Sequence, residues 1–201
     1  MGQITNPVAT TAPAIESFGP GGQMYMAEMW TGFNVSAETI NPLFAITATD
    51  GGTNSAQLTN LEERRKIGST MAFRADRIGI RILNFGTGAV TPVQVQEMKR
   101  LLASAKITLN VGSNETKIAE FSGMSVMEAI DFVAQDTNPS TAGGLGGGIA
   151  WIKLQIPIEI QANCNVGGTV RFTRAVPTAL TSTPNSFGFV VLLQGLKVVK
   201  S

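Results

Sequence analysis

Trp151-Ile152-Lys153-Leu154-Gln155-Ile156-Pro157-Ile158-Glu159-Ile160 alternates apolar and polar side chains, with the five aliphatic residues on one parity and Lys153, Gln155, Pro157 and Glu159 on the other. A period of two marks a half-buried strand, because successive side chains of an extended chain point to opposite faces. The pattern puts Ile152, Leu154, Ile156, Ile158 and Ile160 on a core face. Residues 162–168 form a polar turn with Gly167 and Gly168, and Thr169-Val170-Arg171-Phe172-Thr173-Arg174 then alternates again. Two such runs around a glycine-bearing turn predict an antiparallel hairpin over residues 151–174. The apolar run 187–199 is the expected partner of that hairpin.

Working outward, composition sets limits on chemistry. The chain has 201 residues, 43% hydrophobic and 14% charged, a single cysteine and no histidine. Its mean hydropathy is +0.16. A low charge density with positive hydropathy points to a surface that is covered in use. The absence of histidine removes the usual general base, the Ser-His and Cys-His nucleophile pairs and the commonest transition-metal ligand. Cys164 has no partner for an intrachain disulfide and no adjacent cation to activate it, which favours a structural role. The acid pairs Glu62 with Glu63 and Asp131 with Asp136 are adjacent or loop-separated and specify no site. An enzyme is therefore not expected, nor a cofactor or a metal. No apolar run approaches the roughly 20 residues needed to span a bilayer, and the polar N-terminus has no secretory signal pattern.

The N-terminal 22 residues are rich in Thr, Ala, Pro and Gly and show no periodicity. They extend into a cluster of Met24, Tyr25, Met26, Met29, Trp30 and Phe33, which suits either core filling or the anchoring of an arm to a partner. The domain reading that follows is an extended arm over residues 1–33 and a β-sandwich over 34–201. Met24, Tyr25, Met26, Trp30 and Phe33 are candidate subunit-interface residues.

Charge changes sign along the chain. Residues 1–63 hold six acids and no Lys or Arg, whereas residues 64–106 hold nine bases against Asp76 and Glu97. An acidic arm and a basic middle could pair between copies, although solvated faces explain each residue singly.

The remaining elements follow from local signals. Residues 42–46 are a short apolar run before a turn-rich loop at 50–55. Residues 77–83 place Ile78, Ile80 and Ile82 on one face and Arg77 and Arg81 on the other. Thr91-Pro92-Val93-Gln94 is a capping box with Pro at the first helical position, so residues 92–104 form a short amphipathic helix with Val95, Met98, Leu102 and Ala105 inward. Residues 106–111 and 116–121 make a hairpin. Ser125 with Glu128 opens a second helix to about residue 134. The glycine-rich stretch 136–148 is a surface loop; no strand immediately precedes it and no Gly-Lys-Ser/Thr ends it, so it is not a phosphate loop. Residues 187–193 are apolar throughout, as in a strand buried on both faces, and Gly195 marks a bulge or bend.

Seven or more strands with two short helices in their connections make a mainly β chain, an antiparallel β-sandwich. The order of elements, with the proline-bearing strand and turn at 154–163 and the closing Phe189-Val190-Val191-Leu192-Leu193-Gln194-Gly195-Leu196, resembles the jelly-roll coat proteins of tailless icosahedral bacteriophages of the corticovirus and tectivirus type. The similarity spans residues 71–199 and, at this length, fits a single jelly roll. It implies a structural virion protein, major or minor, that self-assembles in many identical copies into a capsid shell in the host cytoplasm. It implies further capsid proteins as partners, contact with a packaged genome or an internal membrane, and no small-molecule substrate. The alternative class is a non-catalytic β-sandwich binding or attachment module, which would want a row of exposed aromatics. Tyr25, Trp30 and Trp151 are the only Tyr or Trp residues available for one. In the shell reading, Lys153, Gln155, Glu159 and Arg171 on the polar face of the hairpin are further subunit-interface candidates. Arg64, Arg65 and Lys66 are the nucleic-acid candidates, since phosphate neutralisation needs Lys or Arg.

Overall fold

A computed structural model describes residues 22–48, 58–112, 116–123 and 150–200. Residues 1–21, the helix expected from Ser125 and the glycine-rich stretch 136–148 lie outside the described residues. In chain order the elements are β1 (Gly22–Asn34), β2 (Ile40–Leu43), β3 (Met71–Asn84), α1 (Pro92–Ala103), β4 (Ala105–Val111), β5 (Thr116–Ser122), β6 (Ala150–Ile160), β7 (Val166–Phe172), a 3-10 turn (Thr178–Leu180) and β8 (Phe187–Lys200).

The strands form two four-stranded antiparallel sheets, in the orders β1-β8-β3-β6 and β2-β7-β4-β5. The ladders β1–β8, β2–β7, β3–β6 and β4–β5 nest inside one another, like one long ribbon folded at its middle. The β3–β8 and β4–β7 ladders then join the folded ribbon to itself. Only β4–β5 joins strands consecutive in the described chain, which is the hairpin expected from residues 106–121.

β8 explains why the layers hold. Phe187, Phe189, Val191 and Leu193 face the interior between the sheets, where Phe189 stacks on Phe33 at 5.4 Å and meets Phe172 edge-on at 6.0 Å. Val190 and Leu192 point the other way, yet are buried under Leu58, Trp30, Trp151, Leu83 and Phe85. Both faces are covered, so the strand reads as a continuous apolar run and not as alternation.

β3 carries Ile78, Ile80 and Ile82 inward and Arg77 and Arg81 outward, as its alternation requires. Phe73 and Ala75 are also inward, on the opposite parity, because Asp76 is an extra residue that resets the alternation. The bulge expected at Gly195 is thus real in position, but the inserted residue belongs to β3. α1 begins with the predicted capping box between Thr91 and Gln94 and buries Val95, Met98, Leu101 and Leu102 in the main core.

Four expectations are corrected. The hairpin over 151–174 does not form: β6 pairs with β3 in one sheet, and β7 pairs with β2 and β4 in the other. Residues 161–165 carry the chain between layers, with Asn163 at φ 58° and the Cys164 carbonyl accepting from the Ile67 N–H. Alternation identifies a strand with one buried face, and both inner faces of a sandwich produce it; the partner is not encoded there. For the same reason β8 pairs with β1 and β3 and not with β6 or β7.

Residues 22–33, assigned to the arm, belong to β1, which ladders along β8 from Gly188 to Lys200. Met29 and Thr31 are buried and Phe33 packs in the core, so this half of the Met-aromatic cluster is core filling. Ile156, placed on the core face by its parity, is 82% exposed. Asp76 of β3 stands against residues 154–157 of β6, so those four residues leave the ladder and Ile156 swings out.

Candidate self-association surface

A sheet edge presents unpaired backbone donors and acceptors, and an apolar edge invites another strand. The four edges here are β1 and β6 of one sheet and β2 and β5 of the other. Among the described residues, the exposed large apolar side chains are Met24, Tyr25, Met26, Ile40, Ile118, Ile156 and Val93. All except Val93, on α1, belong to an edge strand.

The edges differ in how they are protected. β2 is four residues long and contains Pro42, which cannot donate to a ladder. β5 carries Lys117 and Glu120, with Glu120 held by Lys117 at 2.7 Å and by Lys106 of β4 at 2.9 Å. Hydrogen bonds from Lys117, and then from Lys106, keep the Glu120 carboxyl below its ordinary value. β6 contains Pro157 inside the excursion at 154–157. Between β5 and β6 lies a groove of about 470 Å³ lined by Ile118, Phe121, Leu154, Ile156, Pro157 and Glu159.

β1 is thirteen residues long, with no Pro, Lys or Arg and one acid, Glu28. Its C-terminal half is covered. The Trp30 N–H donates to Asn60 Oδ1 at 2.9 Å, the Asn60 N–H donates to the Trp30 carbonyl at 3.3 Å, and Asn60 Nδ2 donates to the Glu28 carbonyl at 2.9 Å. These bonds show that even-numbered residues of β1 turn their backbone groups outward. Among the described residues, no hydrogen bond reaches the outward groups of Met24 and Met26. Their side chains are 53% and 61% exposed, and Tyr25 between them points to the other face, where Lys197 Nζ lies 5.9 Å from its ring centroid.

The structure brings together Met24, Tyr25 and Met26 of the expected interface residues. Trp30 is half-buried over Val190 and Leu192, and Phe33 lies in the core, so neither offers a free surface. Lys153, Gln155 and Glu159 lie on β6 of one sheet and Arg171 on β7 of the other, so the hairpin face expected to unite them is absent. Arg64 and Arg65 are exposed in a turn where Arg65 adopts φ 54°, and Lys66 pairs with Glu63 at 3.6 Å. Glu62 and Glu63 are exposed, while Asp131 and Asp136 lie outside the described residues. Among the described residues, no group of three Cys, Asp or Glu side chains gathers as a metal site, and no helix is long and apolar enough to cross a membrane. Sequence reasoning passed over Ile40 and Ile118 and misplaced Ile156; Pro157, in the middle of an alternating run, was the available sign of an edge.

No family model matches the chain, and no curated protein matches it. Among solved structures, the cryo-EM structure of the giant freshwater prawn Macrobrachium rosenbergii extra small virus (XSV) VLP is similar over 94% of this chain and 86% of that one, at 13% identity and a TM-score of 0.25. A likeness at that score carries no argument about this chain.

Proposed function

We propose that this chain is a single-jelly-roll capsid subunit: a structural virion protein that assembles in many copies into an icosahedral shell and catalyses no reaction. The strand orders β1-β8-β3-β6 and β2-β7-β4-β5 support the jelly-roll reading, since eight antiparallel strands in two packed sheets with nested ladders are its double Greek key. That architecture also serves lectins and cupins, so the fold does not choose among functions.

The observation that carries the choice is the concentration of exposed apolar side chains on the edge strands. A free-standing binding domain gains nothing from sticky edges, whereas a subunit whose edges meet neighbours uses them. Phe33, Phe172 and Phe189 fill the space between the sheets, which argues against a ligand chamber there. The bacteriophage affiliation, the virion location, further capsid proteins as partners and contact with a genome or an internal membrane belong to the same proposal. They rest on the sequence resemblance, with Arg64 and Arg65, both exposed, and Lys66 as the nucleic-acid candidates.

Electron micrographs and light scattering of the purified chain test this. Closed particles of many copies are expected; a monomer at every concentration overturns it.

A further inference from the structure

Of the four sheet edges among the described residues, β1 alone is long and carries no proline or lysine to blunt it, and its open part centres on residues 23–27. We infer that this segment pairs antiparallel with the same segment of a second copy, about a two-fold axis through the Tyr25–Tyr25 pair, so that one sheet of each copy joins into a continuous sheet of eight strands. The inference rests on the self-assembly proposed above and names one of its contacts.

Two features of β1 select this partner and this register. First, the outward backbone groups of β1 belong to even-numbered residues, as the Asn60 bonds at Glu28 and Trp30 show. In an antiparallel pair centred on Tyr25, Met24 of one copy stands opposite Met26 of the other. Each such pair exchanges both ladder hydrogen bonds, using the groups left open among the described residues. Tyr25 then forms a non-hydrogen-bonded pair, where side chains approach most closely and aromatic contacts are strongest.

Second, Asn60 occupies the edge from Glu28 onward, so the ladder stops at the pair of Gln23 with Ala27 on either side of Tyr25. A two-fold contact is self-complementary, so one free edge suffices for both copies.

The register is tested by disulfide trapping in the full-length chain with Cys164→Ser. Cα atoms of a non-hydrogen-bonded antiparallel pair lie about 4.5 Å apart, within the roughly 4.4–6.8 Å span of a disulfide. Tyr25→Cys, oxidised with glutathione disulfide, is expected to give a covalent dimer as its dominant species on non-reducing gels. Gln23→Cys, which this register places opposite Ala27, is expected to give none. Met26→Pro removes one outward N–H without touching the β8 ladder and is expected to keep cooperative unfolding while losing the trapped dimer. Particles that assemble with no trapping at Tyr25→Cys, or equal trapping at Tyr25→Cys and Gln23→Cys, overturn the pairing and leave the shell proposal standing. A parent chain that is monomeric by light scattering at all concentrations overturns both.

Discussion

Gly195 of β8 lies directly opposite Ala75 of β3, and a Cβ on Gly195 would run into the Arg74 carbonyl oxygen and the Ala75 backbone. The close approach occurs where Asp76 is inserted into β3 and the ladder shifts register. A bulge bends and twists its strand, and the facing residue must leave room for the displaced backbone. Gly195→Ala is therefore expected to cost about 1–3 kcal/mol as overpacking against backbone that cannot rotate away. A lower urea midpoint with an unchanged slope would report it.

Ile156 and Phe189 separate the surface of the sandwich from its core. Ile156→Asp, which alternation alone makes a buried charge, is expected to change folding stability by no more than about 0.5 kcal/mol, because the side chain already projects into solvent. Phe189→Ala removes the ring that touches both Phe33 and Phe172 and is expected to cost about 3–5 kcal/mol. Denaturant titration of the two variants beside the parent checks the ordering. An Ile156→Asp protein that unfolds as easily as Phe189→Ala would put Ile156 back in the core.

The same residues show what was readable in sequence. The strand of Ile78, Ile80 and Ile82, the capped helix at Pro92–Ala103 and the doubly buried run beginning at Phe187 all depend on neighbours within a few positions, and their patterns name them. Strand partners depend on residues as far apart as Gly22 and Lys200, which no local period records. Asp76 was invisible because a single inserted residue has no compositional mark, yet it shifts the parity of β3 and, through the unequal ladder with β6, exposes Ile156. Of the candidate surface, Met24, Tyr25 and Met26 were legible as misplaced apolar residues. Trp30 and Phe33 carried the same signal but proved to be covered by the fold itself.

Glu120 gives the edge of the second sheet a pH dependence with a definite sign. Lys117 and Lys106 stabilise its ionised form, so its folded value lies below the ordinary 4.5. A group depressed on folding contributes its stability above the unfolded value and loses it as pH falls through the folded one. Urea midpoints of the parent are expected to fall on acidification below about pH 4.5, and Glu120→Gln is expected to flatten part of that fall. The carboxylate and both lysines are solvent-exposed, so molar salt should shrink the difference between the two proteins.

Gln94 does two jobs, and this makes its removal distinguishable from the loss of an ordinary helix cap. Its Oε1 accepts from the Thr91 N–H at 3.0 Å and its N–H donates to Thr91 Oγ1 at 3.2 Å, the two halves of the capping box. The same side chain donates through Nε2 to the Ala179 carbonyl at 3.0 Å and accepts from Asn185 Nδ2 at 3.2 Å. It therefore ties the start of α1 to the 3-10 turn and to the chain entering β8. Asn185 is 6% exposed and also holds the Ala89 carbonyl and Asn84, so loss of Gln94 leaves buried polar groups short of a partner. Thr91→Ala is expected to cost about 1 kcal/mol, the usual value of a cap. Gln94→Ala is expected to cost more, about 1–3 kcal/mol, because an unsatisfied buried group adds its desolvation. A double-mutant cycle with Asn185→Ala should give a combined loss smaller than the sum of the single losses, since each variant breaks the shared bond. Additive losses would mean that Gln94 acts only as a cap and that the tie to β8 contributes nothing.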